Sequence, residues 1–327
     1  MKPKRILVTG AAGFIGMHQA ERLLQAGHQV LGLDNLNSYY DPALKEARLS
    51  VLGNHPDFRF ERVSLEDEAK ALPIIAAFRP QYIAHFAAQA GVRYSLKAPR
   101  EYTRSNIEGF LTILEAARAN PIEHLVYASS SSVYGANTKV PFLEDDPVDH
   151  PVSLYAATKR ANELMAETYA HLHRIPMTGL RFFTVYGPWG RPDMAMWTFT
   201  ARVHAGEPIE VYDEARMSRD FTYIDDVVEA IERLLPLPTP PGPTGSPHRV
   251  LNIGNNRPER LADFIAAIEA ACGRPAIKLH KPRQVTDVET TYADISKLMA
   301  LTGFRPKTSI QDGARLFADW YRGWLAR

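Results

Sequence analysis

Tyr155 and Lys159 stand four residues apart. In a helix that spacing puts both side chains on one face, one turn apart. An ammonium beside a phenol favours the phenolate and draws its pKa from ~10 toward neutrality. Such a phenolate can take a proton from a hydroxyl. A solvated helix face carries Tyr and Lys at the same spacing, so the pair needs context. Ser129-Ser130-Ser131-Ser132-Val133-Tyr134-Gly135 offers a run of hydroxyls that could bond a polyhydroxylated ligand and assist proton transfer. A serine-rich loop explains any one of the four serines, less readily all of them.

The context comes from Gly10-Ala11-Ala12-Gly13-Phe14-Ile15-Gly16. Glycines at this spacing permit a tight turn, close approach of the backbone to a pyrophosphate and close helix-strand packing. The helix they open offers N–H groups and a positive dipole end to phosphates. An ordinary flexible turn is the bland alternative. Against it, the glycines follow an apolar run, and Asp34 ends the next run about 20 residues on, where an acid bonds a ribose 2'-hydroxyl. Asp34 would repel a 2'-phosphate, so NAD is preferred to NADP. Asn35 and Asn37 could touch the ribose or adenine, or simply form a turn. With a dinucleotide in place, Lys159 can also hold the nicotinamide ribose.

The elements that must position these residues are legible as a rhythm. Apolar runs at 5–8, 29–34, 59–63, 82–86, 125–129 and 178–183 read as buried strands. Helix-period segments at 17–26, 68–78, 106–119 and 154–172 lie between them, the last capped by Ser153. Buried strands alternating with helices imply a Rossmann-type, doubly wound parallel sheet; the glycine turn disfavours an eight-fold barrel. A cofactor domain over 1–180 is expected, with segments near 220–255 returning to it, and a smaller α/β substrate domain over 181–327. The Pro- and Gly-rich 236–247 reads as a surface excursion.

The 327 residues carry a net charge of +1, which gives no reason to expect nucleic acid or an anionic membrane as partner. One cysteine, Cys272, cannot form an intrachain disulfide and suits a reducing cytoplasm. The apolar stretch 6–15 is broken by Gly10 and Gly13 and reads as a strand entering a turn, not a signal peptide. No run approaches the ~20 apolar residues of a membrane helix, and no metal site is expected.

Together, the glycine turn, the serine-rich strand end, Tyr155-Ala156-Ala157-Thr158-Lys159 and Arg219-Asp220-Phe221-Thr222-Tyr223-Ile224-Asp225-Asp226 resemble the extended short-chain dehydrogenase/reductases that act on nucleotide sugars. Three stretches resemble the UDP-glucuronate 4-epimerase branch. They are Ala88-Gln89-Ala90-Gly91-Val92-Arg93-Tyr94-Ser95, Asp149-His150-Pro151-Val152-Ser153-Leu154-Tyr155, and the run 181–193, RFFTVYGPWGRPD. The resemblance implies an NAD-dependent C4 epimerisation of a UDP-sugar, with Tyr155 as acid/base, Lys159 and Ser130 beside it, and a homodimer. It also implies NAD contacts at Leu65, Phe86, Ala87, Ala88, Gln89, Asn106 and Phe182. For the UDP-sugar it implies Arg93, Ser131, Ser132, Thr184, Arg191, Val211, Tyr212, Arg219 and Asp287. Many relatives carry Asp at the position of Ser64, near the adenine, and Gly at that of Thr286.

Related dehydratases carry an Asp-Glu pair before the Val-Tyr-Gly, and related UDP-glucuronate decarboxylases a Glu there; this chain has Ser131 and Ser132. Epimerisation needs only one base-acid, a hydride carrier and room for the sugar to turn. Arg191 and Thr184 could grip a uronate carboxylate, Arg offering paired donors. Other UDP-sugars, decarboxylation, or a non-catalytic NAD-sensing protein are the alternatives. Asp34→Ala should weaken NAD binding and relax discrimination against NADP, which titration of the two dinucleotides would measure.

Overall fold

The computed structural model describes residues 2–212, 215, 217–242, 245–282 and 290–326. Their strands are β1 (Arg5–Thr9), β2 (Gln29–Asp34), β3 (Phe58–Arg62), β4 (Tyr82–His85), β5 (His124–Ser130), β6 (Met177–Phe182), β7 (Thr184–Tyr186), β8 (Pro208–Tyr212), β9 (Ser218–Tyr223), β10 (His248–Ile253), β11 (Pro258–Arg260) and β12 (Ile277–Lys281). The chain divides into two compact units. The first holds residues 1–137, 144–182 and 228–252; the second holds 138–143, 183–227 and 253–327.

The first unit is built on a seven-stranded sheet of order β10-β6-β5-β4-β1-β2-β3. From β3 through β6 neighbouring strands pair in parallel, with Leu7 of β1 between Leu31 of β2 and Ile83 of β4. The near-continuous apolar character of these strands follows from burial on both faces. One face packs Ala71, Ile75, Phe110, Ile113, Leu114, Ala166 and Ala170 from three helices against Leu7, Leu31, Ile83 and Leu125. Strand order reverses at β1, flanked by β2 and β4. Ligands bind at the carboxyl ends of strands at such a switch point. This is the Rossmann-type architecture the alternation predicts.

Helix Leu154–His173 begins where Ser153 Oγ accepts the Ala156 amide at 3.1 Å, the cap the sequence predicts. It ends at Arg174 in a left-handed conformation, two residues before Pro176. Other boundaries differ from the periodic reading. The first helix starts at Phe14, directly on the glycine turn. β3 lies at the sheet edge and is half-exposed, so it never needed a solid apolar run. Helix Gly109–Ala119 is preceded by Pro99–Tyr102 and a widened π-type stretch, Thr103–Glu108. Helix Pro42–Leu52, capped by Asp41, was not predicted, because its buried face includes Lys45 and Arg48.

The second unit contains a three-stranded sheet, β11-β9-β7, and the pair β12-β8. Asp220 is its polar hub, accepting from the amides of Asn255, Asn256 and Ala293 and from Thr222 Oγ1. Burial pushes its carboxyl up to about 6 against the pull of those donors. Phe221 stacks on Phe264 at 4.1 Å. Among the described residues no helix is long and apolar enough to cross a membrane.

A buried ion pair locks the serine-bearing end of the first unit's sheet. Arg181 Nε and Nη2 donate to Glu163 Oε1 and Oε2 at 2.8 and 3.0 Å, both side chains being almost fully buried. Burial by itself would lift the Glu163 carboxyl, but hydrogen bonds and charge from Arg181 hold it below the usual range. Breaking a buried pair strands the remaining charge. Glu163→Ala should therefore cost ~3–5 kcal/mol in urea unfolding, whereas Glu163→Met with Arg181→Leu should recover most of that loss.

Candidate active site

The glycine turn leaves β1 at the switch point. Gly10 has φ +69°, and a Cβ there would fall 2.8 Å from the Ala87 nitrogen and 2.9 Å from the Phe86 carbonyl carbon. A Cβ on Gly16 would collide with the Gly10 carbonyl. Glycine is thus required for the β1 turn to lie against the β4 loop and for the helix to start there. Those empty Cβ positions, with the N-terminus of helix Phe14–Gln25 behind them, make a backbone cradle suited to a pyrophosphate.

Asp34 ends β2. Its Oδ2 accepts from Ala12 N at 3.2 Å and its Oδ1 from Leu36 N at 2.8 Å, which ties it to the glycine turn. Asn35 and Asn37 lie beside it and shape the following turn. Asn35 Oδ1 accepts from Asn37 N at 3.1 Å, and Asn37 Oδ1 accepts from Lys45 Nζ at 2.8 Å. Asn35 Nδ2 donates to Ser64 Oγ at 3.1 Å, so Ser64 joins this cluster. Two cations escaped the sequence reading. Lys45 Nζ is 3.9 Å from Asp34 Oδ1, and burial lowers its pKa although Asp34 opposes this. Arg48 is fully buried and donates to the Ala12 carbonyl at 2.9 Å. Nothing in the pattern distinguishes such charges from a solvated face.

The β4 loop carries Phe86, Ala87, Ala88 and Gln89. Thr9 Oγ1 accepts the Ala87 amide at 3.2 Å and lies 2.8 Å from His85 Nδ1. Burial first, and then the charge of Lys159, lower His85 to about 3, so the ring stays neutral. Asn106 is buried and uses its amide on its neighbours: Oδ1 accepts from Gln89 N, while Nδ2 donates to Gln89 O and Thr158 Oγ1. It therefore ties the Gln89 backbone to the helix of Tyr155. The carbonyl of Asn106, in the widened π-type stretch, takes the Asn162 amide at 2.6 Å. Leu65 and Phe182 are buried, and Phe86 meets Phe182 edge-on at 6.2 Å.

Lys159 is 2% exposed, with Nζ donating to the Ala128 carbonyl of β5 at 2.9 Å. Burial lowers its pKa to about 8. Tyr155, one turn earlier, is half-buried, its ring edge-on to the buried Tyr102 at 6.1 Å. The Tyr102 hydroxyl sits between the carbonyls of Ala90 and Gly91, fixing the loop that leads to the exposed Arg93. At the end of β5, Ser130 Oγ accepts from Ser132 N and donates to Ser132 Oγ, both at 3.1 Å. Ser129 Oγ donates to Glu163 at 2.7 Å. Ser131 and Ser132 are partly exposed.

The second unit holds Thr184 at the start of β7, paired with Phe221 of β9. Arg191 donates from Nε and Nη2 to the Asp193 carboxylate at 3.0 and 2.7 Å. Val211 is buried on β8, and Tyr212 donates to Glu210 at 2.7 Å. Arg219 donates to the Ser218 carbonyl. Asp287 lies outside the described residues.

The NAD dependent epimerase/dehydratase family matches residues 6–254. The chain belongs to this family. It is 48% identical to a probable UDP-glucuronate 4-epimerase of Rhizobium meliloti, over 97% of this chain and 96% of the relative. A crystal structure of a Bacillus cereus UDP-glucuronic acid 4-epimerase, in complex with UDP-glucuronic acid and NAD, is similar at TM-score 0.89 and 31% identity. That match covers 98% of this chain and 99% of the other. A UDP-glucose 4-epimerase of Thermotoga maritima with UDP-glucose matches at TM-score 0.87 and 30% identity, with the same coverage.

Lys159, through its burial, carries a stability cost that changes with pH. Its folded pKa lies below its unfolded value of 10.5, so folding opposes the charged form. The penalty is complete below about pH 8 and lifts as pH rises toward 10.5. Lys159→Met should therefore be as stable as the parent or up to ~3 kcal/mol more stable near pH 7. That margin should shrink toward pH ~10, while turnover falls roughly 100-fold or more. Thermal melts at the two pH values, beside an activity assay, separate the effects.

Proposed function

We propose that this chain catalyses NAD-dependent C4 epimerisation of UDP-glucuronate to UDP-galacturonate. The observation that carries the reading is the position of Lys159. It is buried one turn from Tyr155 and held on β5, the strand that ends in Ser129-Ser130 and runs on into Ser131-Ser132 with no carboxylate among them. A buried ammonium there favours the Tyr155 phenolate, and Tyr155 takes the C4 hydroxyl proton with Ser130 alongside. Gly10–Gly16, Asp34 and the loop of Phe86–Gln89 would hold NAD, which when bound would supply a hydride acceptor for C4 and, once reduced, a donor for the reverse transfer. Tyr155 returns the proton after the 4-keto sugar has turned about its diphosphate link. Net redox change is zero.

Ser131 and Ser132 stand where related dehydratases and decarboxylases carry acids, which supports epimerisation over either chemistry. A 4-keto uronate is a β-keto acid and loses CO2 when its carboxylate bond aligns with the carbonyl π-system. Thr184 and Arg191 hold the carboxylate out of that alignment. Val211 and Tyr212 flank the uracil, and Arg219 meets the diphosphate; Arg93 and Asp287 complete the sugar-nucleotide contacts. The 48% identity to the Rhizobium meliloti relative supports the uronate.

Two copies pair through helices Gly109–Ala119 and Leu154–His173, which expose Leu111, Leu164 and Leu172. The lone Cys272 suits the cytoplasm.

Incubation with UDP-glucuronate and chromatography of the nucleotide sugars tests the reaction directly. Tyr155→Phe keeps the ring and removes the ionisable hydroxyl, so turnover should fall roughly 100-fold or more with UDP-sugar binding retained. Near-parental turnover in that variant would rule out Tyr155 as the base.

A further inference from the structure

The turn that carries Arg191 rests on aromatic packing within the second unit. All four tryptophans of the chain gather there. Trp189 lies in the turn itself, 8% exposed, its ring 5.2 Å from Trp320 and 5.8 Å from Trp324. Trp320 and Trp324 are one turn apart on helix Ile310–Leu325 and stack on each other at 6.0 Å. Trp197, on helix Ala195–Ala205 just after the turn, meets Trp320 at 5.2 Å and Phe317 at 6.1 Å.

The backbone conformation gives the packing its meaning. Trp189 has φ +60°, a left-handed conformation that is unusual and unfavourable for a bulky residue. Glycine would adopt it without that cost, yet the position holds the largest side chain available. Such strain persists only where the surroundings over-determine it. The turn is tied on both sides of Trp189: Gly190 N donates to Gly187 O at 3.0 Å, Met194 N to Arg191 O at 3.1 Å, and Thr198 Oγ1 to Pro192 O at 3.1 Å. The packed indole thus belongs to a hydrogen-bonded turn and lies two residues before Arg191.

We propose that Trp189 is a positioning residue whose seat against Trp320 and Trp324 aims Arg191 at the uronate carboxylate and so suppresses decarboxylation of the 4-keto intermediate. This inference rests on the role given to Arg191 above. If the turn shifts, the carboxylate can align with the C4 carbonyl. The C5–carboxylate bond then breaks, its electron pair forms the enolate, CO2 departs and C5 takes a proton. The UDP-4-keto-pentose leaves without recovering its hydride. Each leak therefore yields one CO2, one UDP-4-keto-pentose and one enzyme-bound NADH.

The holoenzyme is given UDP-glucuronate labelled in the carboxyl carbon, and the ratio of released CO2 to UDP-galacturonate is measured. That ratio does not depend on the fraction of protein folded. Trp189→Leu should raise it roughly 10- to 100-fold, the scale of a small misplacement at a reacting centre. Trp324→Ala, which loosens the seat from the helix side, should raise it less, and Trp189→Phe should stay nearer the parent. Arg191→Ala should leak at least as much as Trp189→Leu. Leu298→Ala, a buried change elsewhere in the same unit, should lower the melting temperature without a leak. A leak in Arg191→Ala but none in Trp189→Leu or Trp324→Ala overturns the proposal and leaves the carboxylate grip standing. No leak in Arg191→Ala removes the grip, and the proposal falls with it. An equal leak in Leu298→Ala also overturns the proposal, since general loosening would then suffice.

Discussion

Two opposite charges buried at the end of the sheet set the terms for the rest of the first unit. Neither Glu163 nor Arg181 can keep its charge away from water without the other, so the helix of Glu163 and the strand of Arg181 must meet at one fixed register. Ser129 adds a third hydrogen bond to Glu163, and Arg181 Nη1 reaches the Glu144 carbonyl at 3.0 Å. The Arg181 guanidinium also lies 4.8 Å above the Tyr134 ring, whose hydroxyl donates to Asn252. Lys159 is one helical turn before Glu163, and Tyr155 one turn before that. Fixing Glu163 against β5 and β6 therefore fixes the helix face that carries Tyr155 and Lys159, and fixing Ser129 fixes Ser130 beside it. Placement of this kind, completed in folding, is what lets a reaction proceed without reorganisation.

The parts of the site that were legible in the sequence are those where backbone chemistry permits few residue types. Gly10 and Gly16 occupy positions a Cβ would fill, Asp34 closes a strand in a known relation to that turn, and Ser153 has the form of a cap. The hidden parts depend on partners distant in sequence. Lys45 and Arg48 lie on the buried face of helix Pro42–Leu52, where periodicity expects apolar residues, and the helix went unseen with them. Asn106 is marked in the sequence only by the family resemblance, and its helical spacing says nothing of its bonds to Gln89 and Thr158. Strands such as Thr184–Tyr186 and Pro258–Arg260 are three residues long, too short for alternation to register. The tryptophan seat draws on segments more than a hundred residues apart, and no local pattern encodes it.

The overall frame does not choose the sugar. An epimerase crystallised with UDP-glucuronic acid and another crystallised with UDP-glucose superpose on this chain at nearly equal TM-scores, 0.89 and 0.87. Selection at C6 must then come from a few side chains on a shared scaffold. The residues proposed for it, Thr184 and Arg191, sit on a short strand and the turn after it, where a substitution can alter one contact without disturbing the large sheet.

A redox-neutral epimerisation places contrary demands on its binding groups. Hydride transfer tolerates little error in the position of the nicotinamide, so the cofactor must be held hard. The backbone cradle at Gly10, the Asn106–Gln89 clasp and the neutral His85 beside a desolvated Lys159 are rigid features of the kind that demand favours. The keto sugar, by contrast, must present both faces, so contacts along its ring would favour one epimer. The economical arrangement is to hold the sugar by its ends, the nucleotide and diphosphate on one side and the carboxylate on the other. A carboxylate suits that use, because its two equivalent oxygens can meet a planar guanidinium from either face of the sugar. On this argument the charge of the uronate is an asset to epimerisation as well as a hazard, and on the proposal made for Trp189 the stiffness of the turn that carries Arg191 decides which of the two prevails.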